Sequence, residues 1–168
     1  LFTGITAALG SIIMIFMISF VDFMYGTADD LGFWGFSNAH VGIALPLQTE
    51  YSDEDYRLML ESDPMVAKVA LQAYALTGFP KTAASASDTV FTEIFDGDFD
   101  DLGFELLEGR NPVGPGEVSL SALLADLHGK RSGDTIELLV ASQPTLYKVS
   151  GIFQCTNQMG RLCRMRLE

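Results

Sequence analysis

The longest apolar stretch of the chain lies at its beginning. Residues 1–21 carry no charged side chain, and only small or weakly polar residues such as Thr3, Gly10 and Ser19 interrupt the run. A helix needs about 20 apolar residues to cross a hydrocarbon core of about 30 Å, and it pairs every backbone polar group internally, as lipid requires. The pattern therefore predicts a first transmembrane helix, complete or partial, over residues 1–24.

A buried core helix and a signal peptide are the alternatives for this segment. A core helix usually shows a polar stripe, and a signal peptide has a basic region before a shorter apolar stretch; the sequence shows neither. The residues after the run, Asp22, Asp29 and Asp30, are acidic, and the first basic residue is Arg57. Because Lys and Arg mark cytoplasmic flanks, we expect a single-span protein of the cell membrane whose main domain is extracytoplasmic.

Shorter patterns predict the elements of the remaining chain. Ser52 is a favourable N-cap for a helix from residue 53 to about residue 62, whose first turn is acidic and so complements the helix dipole. A second helix is expected over residues 122–127, ending before Gly129. Residues 65–76 fit a strand or a helix, and Gly78 and Pro80 just beyond them favour the strand. Apolar–polar alternation predicts strands over residues 39–47, 65–76, 117–121, 134–140 and 145–153, and residues 88–95 fit a strand or a short helix.

The predicted order of these elements, β-α-β, then loops, then β-α-β-β, indicates an α+β fold. We expect a mixed-sheet extracytoplasmic domain built of β-α-β units and preceded by one transmembrane helix. Residues 25–160 would form this domain, which is long enough to bury a core. Residues 161–168 would return toward a second transmembrane helix or simply end the fragment.

The chain is strongly acidic, with 22 Asp and Glu against 10 Lys and Arg and a formal net charge of −12. Nucleic-acid binding requires a basic face that neutralises phosphates, so nucleic acid is excluded as a partner. Cys155 and Cys163 either pair in an oxidising compartment or remain free thiols. With only His40 and His128 beside them, they lack the spacing of a zinc site.

Sequence signatures of common catalytic sites are missing. There is no Walker A pattern and no Gly-x-Ser-x-Gly elbow, so we predict no catalytic, cofactor-binding or metal-ligating residue. The acidic run 96–101 matches the start of an EF-hand loop, but Asp101 stands where glycine is required and Leu107 where a glutamate is required. A solvated acidic turn is expected there, with a weak divalent site as a hypothesis. We interpret His128 as the C-terminal residue of a helix and His40 as part of a strand.

Five phenylalanines are the candidate binding residues of the domain. They would either line a groove for an apolar substrate or form ordinary core, and the sequence leaves both interpretations open. The five are Phe79, Phe91, Phe95, Phe99 and Phe104.

Several motifs follow one another closely from residue 107 onward. They are Gly109-Arg110-Asn111-Pro112, Gly116-Glu117-Val118-Ser119-Leu120-Ser121, Gly133-Asp134-Thr135-Ile136 and Tyr147-Lys148-Val149-Ser150-Gly151-Ile152-Phe153. In order and spacing they resemble the MacB-like periplasmic core domain of FtsX-like ABC-transporter permeases. That domain sits between the first two transmembrane helices of its family, and residues 1–21 fit the first of these helices.

The resemblance implies a non-enzymatic extracytoplasmic domain of a transporter permease. It would contact substrate or partner and couple to ATP-driven motion during export of a peptide, antibiotic or lipoprotein, with residues 25–38 transmitting the motion. The implied partners are a separate ATP-binding-cassette subunit that hydrolyses ATP, a second permease copy, the transported peptide, lipid or antibiotic, and the membrane. The alternative is a membrane-tethered sensor or binding module that is not part of a transporter.

Overall fold

A computed structural model of the chain describes residues 2–29, 31–45, 50–80 and 89–167. Two helices, α1 (Phe2–Asp29) and α2 (Asp53–Glu61), precede the strands. The elements that follow, in chain order, are β1 (Leu71–Gly78), β2 (Thr89–Asp96), a 3₁₀ helix (Phe99–Leu102), β3 (Glu108–Gly109), β4 (Glu117–Ser121), α3 (Ala122–Leu127), β5 (Thr135–Val140), β6 (Gln143–Phe153), a second 3₁₀ helix (Asn157–Gly160) and β7 (Leu162–Arg166).

The strands form one sheet that closes on itself. Six strands follow one another around a ring in the order β6, β4, β7, β2, β1 and β5, and β5 pairs again with β6. The pairs β4–β6 and β2–β7 are parallel, and the other pairs are antiparallel. The β1–β5 contact that completes the ring consists of the single residue pair Gly78 and Leu139. The short β3 pairs with the second half of β6.

The predicted fold class is therefore wrong. The domain is mostly sheet and forms a closed barrel of six strands, not a mixed sheet of β-α-β units. In a β-α-β unit the helix joins two parallel strands, whereas β5 after α3 runs antiparallel to β6, which is itself parallel to β4. Helix α3, between β4 and β5, is therefore not a crossover helix, although it stands between two strands in the sequence as a crossover helix does.

The first helix extends beyond the apolar run. α1 continues past the acidic Asp22 to Asp29. Within the described part of the chain, no helix combines the length and the apolar character that a membrane span requires. This finding contradicts the predicted helical span over residues 1–24 and corrects the predicted localisation as a single-span protein of the cell membrane with an extracytoplasmic main domain.

Several local predictions are confirmed. The helix after Ser52 has the expected cap: the Asp55 N–H donates to Ser52 Oγ, and the Ser52 N–H donates to Asp55 Oδ2. Strand β4 and helix α3 have the predicted bounds, and β2, β5 and β6 lie within two residues of theirs. The strand predicted over 65–76 begins only at Leu71. No strand forms over residues 39–45, the described part of 39–47, and residues 46 and 47 lie outside the described residues.

The main core fills the inside of the ring. Alternate residues of β4, β5 and β7 point inward with those of β2 and β6, and α3 packs against them. The fully buried side chains of this core include Val90, Val118, Leu120, Leu124, Leu138, Val149 and Cys163. Two smaller apolar clusters lie outside it, one around Phe95, Phe99, Leu102 and Phe104 and one around Phe153, Cys155 and Leu162.

Candidate functional site

The segment that follows α1, residues 31–38, is docked on the outside of the ring, and we call it the junction. Four hydrogen bonds join the junction backbone to three separate parts of the domain. One junction N–H donates, and three junction carbonyls accept. The bonds run from the Asn38 N–H to Leu102 O at 3.0 Å, from the Glu105 N–H to Gly32 O at 3.2 Å, from the Thr156 N–H to Trp34 O at 3.4 Å and from Arg164 Nη2 to Gly35 O at 2.5 Å.

Two glycines allow the junction to approach this closely. A Cβ atom at Gly32 would lie 2.0 Å from Gly103 O, which is closer than any real contact. Gly35 has a φ of +86°, and a Cβ there would lie 2.9 Å from Cys155 Cβ and 3.0 Å from Gln154 O. Glycine adopts such a backbone conformation without strain, whereas other residues do so at a cost. Backbone-to-backbone contact at both positions therefore depends on the absence of a side chain.

Arg164 on β7 is the centre of the docking contact. Its side chain is 0% exposed, and its Nε donates to Glu93 Oε2 at 2.9 Å while its Nη2 donates to Gly35 O. Glu93 lies opposite Arg164 in the parallel β2–β7 ladder. Since neighbouring residues of a strand point to opposite faces, Cys163 and Met165 enter the main core and Arg164 points outward, toward the junction.

Two aromatic rings sandwich the guanidinium group. The guanidinium carbon lies 3.8 Å from the centre of the Phe104 ring and 4.0 Å from that of Phe153. A cation over a ring face is attracted by the ring quadrupole, more strongly where water is excluded. One group, Nη1, has no hydrogen-bond partner among the described residues, so the rings take the place of a second polar contact.

Burial dominates the electrostatics of the Glu93–Arg164 pair. Removal from water raises the pKa of the Glu93 carboxyl, although the nearby guanidinium opposes this change. The same burial lowers the pKa of Arg164, against the effect of Glu93, and arginine nevertheless keeps its charge in proteins. A buried pair is costly to break by removing one partner, because the remaining charge is left without compensation.

The five candidate phenylalanines do not form one site. Phe95, Phe99 and Phe104 are buried together, with ring centres 5.2 Å apart for Phe95 and Phe104. Phe79 belongs to the main core instead and lies against the His128 ring, at 3.7 Å between centres. Only Phe91 is exposed, at 39%. Of the buried trio, Phe104 contacts the Arg164 guanidinium.

The acidic residues 96–101 have separate partners, and Asp100 Oδ1 accepts from Asn111 Nδ2 at 3.4 Å. Asp96 pairs with Arg57, Asp101 pairs with Lys68, and Asp98 Oδ1 accepts the Asp100 N–H at 3.0 Å. Among the described residues, no three metal-ligating side chains converge on one point. Asp96 and Asp101 thus fasten α2 and the segment after it to the domain, which is a structural role.

The remaining chemistry-bearing residues lie apart from one another. Cys155 and Cys163 are both free and buried, and burial raises the pKa of each thiol. His128 is the residue that ends α3, as predicted, and His40 is exposed in a bend rather than in a strand. None of these side chains contributes to the contact around Arg164 except Cys155, whose Cβ borders Gly35.

An open cleft of about 520 Å³ lies beside α3. Its apolar wall includes Leu107, Ala122 and Ile152, and its charged residues include Glu108 and Lys130. Pockets that bind small molecules are concave and mostly apolar, with a few polar groups that orient the ligand. The cleft departs from that description, because four of its nine lining residues are charged, namely Glu108, Asp126, Lys130 and Arg131. It is separate from the junction.

No model of a known protein family matches this chain, and no curated protein is detectably similar to it. The similarity to the MacB-like domain of transporter permeases therefore depends on the short motifs between residues 107 and 153 and stays a prediction.

The segment predicted to transmit motion, residues 25–38, contains the junction, but no sequence pattern predicts the residues that hold it. Glu93 and Arg164 are 71 residues apart, so no local pattern connects them. A signal exists nevertheless: Glu93 is the single charged residue of residues 89–95, Arg164 lies between the apolar Cys163 and Met165, and the two charges have opposite sign. An acid and a base isolated in this way are expected to pair when both strands enter one sheet.

Proposed function

We propose that this chain is a non-enzymatic coupling domain of an FtsX-like ABC-transporter permease. In this role it takes up movement from the rest of the transporter through the junction and changes its contact with the transported peptide, lipid or antibiotic. ATP is hydrolysed by a separate ATP-binding-cassette subunit. The motif order from Gly109 to Phe153 supports the family, and the docked junction supports the coupling role.

The observation that carries the proposal is the four-bond attachment of the junction to three parts of the domain. A helix that leads into a loosely attached linker transmits little force to the domain beyond it. Here the residues after α1 are fixed to the segment after β2, to the segment after β6 and to β7. A displacement of the helix is therefore expected to move the ring as a rigid body, which is a common form of conformational switching.

The cleft beside α3 is the candidate contact for the transported molecule. Its lining combines an apolar part with four charged residues, Glu108, Asp126, Lys130 and Arg131, so it would suit an amphipathic molecule with charged groups, such as a peptide. A peptide is one of the substrates that the resemblance implies.

Affinity capture of the full-length protein from its native host, under mild conditions and with mass spectrometry, tests the family. We expect an ATP-binding-cassette subunit among the captured proteins. Capture of the intact protein without any such ATPase would contradict the transporter role and favour a stand-alone binding module.

A matched pair of glycine variants tests the coupling itself in the assembled transporter. Gly35→Ala places a side chain against Cys155 and Gln154, whereas Gly42→Ala points into open space. We expect Gly35→Ala to reduce substrate-stimulated ATPase activity several-fold while the basal rate stays unchanged, and Gly42→Ala to leave both rates unchanged. Equal stimulated rates in the two variants would contradict transmission through the junction.

A further inference from the structure

One wall of the cleft beside α3 is a face of that helix. Four of the lining residues have the spacing of one helix face, three, four and seven residues after the first. They are Ala122, Ala125, Asp126 and Gly129. Three of these four carry a methyl group or no side chain at all, so the wall leaves open space in front of it. Leu107 and Ile152 supply the rest of the apolar lining.

The end of α3 keeps two opposite charges apart. Asp126 and Lys130 are four residues apart, a spacing at which an acid and a base pair on a continuous helix. The helix ends at Leu127, however, and Gly129 has a φ of +57°. The Gly129 N–H donates to Asp126 O at 3.1 Å, and the Lys130 N–H donates to Ala125 O at 2.8 Å. This is a Schellman turn, and it takes Lys130 off the helix.

Both charges are left without a partner. Among the described residues, the side chains of Asp126 and Lys130 have neither an ion pair nor a hydrogen bond. The other two charged lining residues are already engaged: Glu108 accepts the Ser132 N–H at 3.1 Å and lies 3.9 Å from Arg131. Asp126 and Lys130 are therefore the two charges that the cleft offers to a ligand.

The position of Asp126 has no explanation in the helix itself. The last turn of a helix carries a partial negative charge, so a base stabilises it and an acid does not. Asp126 lies in the last turn of α3, where no basic residue is found. A carboxylate that lines a cleft and does not help its own helix is a candidate for ligand contact.

We propose that the cleft binds a short apolar peptide by its two free ends. The amino terminus of the peptide pairs with Asp126, its carboxylate pairs with Lys130, and its side chains lie against Leu107 and Ile152. The inference rests on the proposed function, which takes this cleft as the contact for the transported molecule, and it specifies which kind of peptide the cleft accepts.

The cost of removing water selects a ligand that carries both charges. A molecule seated in the cleft takes water away from Asp126 and Lys130, and a charge that loses water without gaining a partner costs free energy. A purely apolar molecule leaves both charges unpaired, and a singly charged one leaves one of them. A peptide with free ends pairs both. The volume of about 520 Å³ lies within the 300–1,000 Å³ or so of ligand pockets.

Titration of the full-length protein with the tripeptide Leu-Ala-Leu, followed by the NMR signals of the peptide, tests the site. We expect the form with both ends free to bind. The N-acetylated form and the C-amidated form should each bind about three- to five-fold more weakly, because each loses one partly exposed ion pair. Absence of binding, or equal affinity of the three forms, would overturn the proposal.

Charge variants assign each end of the peptide. Asp126→Asn should remove the preference for the free amino terminus and keep that for the free carboxylate, and Lys130→Gln should do the reverse. Glu137→Gln and Lys148→Gln are the matched controls, because both residues are exposed and lie outside the cleft; they should leave the affinity unchanged. Equal losses in the controls, or loss of the carboxylate preference in Asp126→Asn, would overturn the proposal.

The outcome of this titration is separate from that of the affinity capture. Binding of the peptide without a captured ATPase would support the site and contradict the transporter role. A captured ATPase without binding of the peptide would contradict the site and leave the transporter role intact.

Discussion

The inside of the ring and the outer layer over β2 and β7 are held together by different forces. Inside, apolar side chains pack on one another, and the Thr77 and Thr92 hydroxyls satisfy each other at 2.7 Å. Outside, the directional contacts of Arg164 join Glu93, two rings and the junction carbonyl of Gly35. Apolar burial scales with area and has no direction, whereas these contacts depend on one geometry. We therefore expect the contacts of the junction to open before the ring unfolds.

The largest expected effect comes from removing the centre of the outer layer. Arg164→Ala leaves Glu93 buried without a partner, and breaking a buried pair in this way costs about 4 kcal/mol of the free energy of unfolding. We expect hydrogen exchange at the Asn38, Glu105 and Thr156 amides to accelerate together, as measured by mass spectrometry or NMR.

The control for Arg164→Ala is the double variant Glu93→Leu/Arg164→Leu, which removes both charges. Replacing a buried pair by apolar residues is often neutral, so most of the stability should return while the junction bond to Gly35 stays lost. If Arg164→Ala lowered the free energy of unfolding no more than the double variant does, the ion pair would not be the element that holds the outer layer.

A cavity inside the ring gives the opposite pattern. Leu120 is fully buried in the main core, and Leu120→Ala is expected to cost about 3 kcal/mol through lost burial and the cavity left behind. Urea unfolding measures that loss. At urea concentrations below the unfolding transition, the junction amides should exchange hydrogen as in the unmodified protein, because their contacts are unchanged. Selectively faster exchange at these amides would show that the inside of the ring and the outer layer are not independent.

Gly35→Ala perturbs the docking of the junction less than Arg164→Ala does. The φ of +86° and the contact with Cys155 strain any other residue by about 1–2 kcal/mol. We expect faster exchange at the Thr156 amide with a modest decrease in Tm. Gly42→Ala, which has open space around its Cβ, should change neither quantity, and matching effects in both variants would count against a docked junction.

The smallest expected effect is that the stability contributions of Glu93 and Glu117 change with pH in opposite directions. Burial raises the pKa of Glu93, so its stabilising contribution is present below the unfolded pKa near 4.5 and is lost as pH rises through the folded pKa. The hydrogen bond from Arg110 lowers the pKa of Glu117, so that contribution is present above the unfolded pKa and is lost as pH falls through the folded one.

Glu-to-Gln variants separate the two carboxyls by thermal denaturation from about pH 3 to 8. The Tm advantage of the unmodified protein over Glu93→Gln should shrink as pH rises, and its advantage over Glu117→Gln should grow. Slopes of the same sign would mean that burial does not dominate at Glu93.

Local elements of the ring were predictable because their determinants are local. Glu117 to Ser121 alternates as a strand, and Ser121 then caps α3 by accepting the Leu124 N–H. Strand β7 was missed because its arginines resemble the basic flank of a membrane segment, and closure was missed because it depends on Gly78 meeting Leu139, 61 residues later. The resemblance implies a motion-transmitting segment over residues 25–38, but Arg164, the side chain that holds the junction, lies far along the chain.

The place of β7 between β2 and β4 also affects the synthesis of the protein. Residues 162–166 pair with strands made much earlier, at residues 91–95 and 118–120. Hairpins such as β1–β2 and β5–β6 form from nearby residues and are expected early, whereas pairing across long sequence separations is slow. On the ribosome, the ring and the Arg164 contact cannot be completed until residue 166 has left the exit tunnel, and until then the open edges of β2 and β4 stay exposed to chaperones and to other nascent chains.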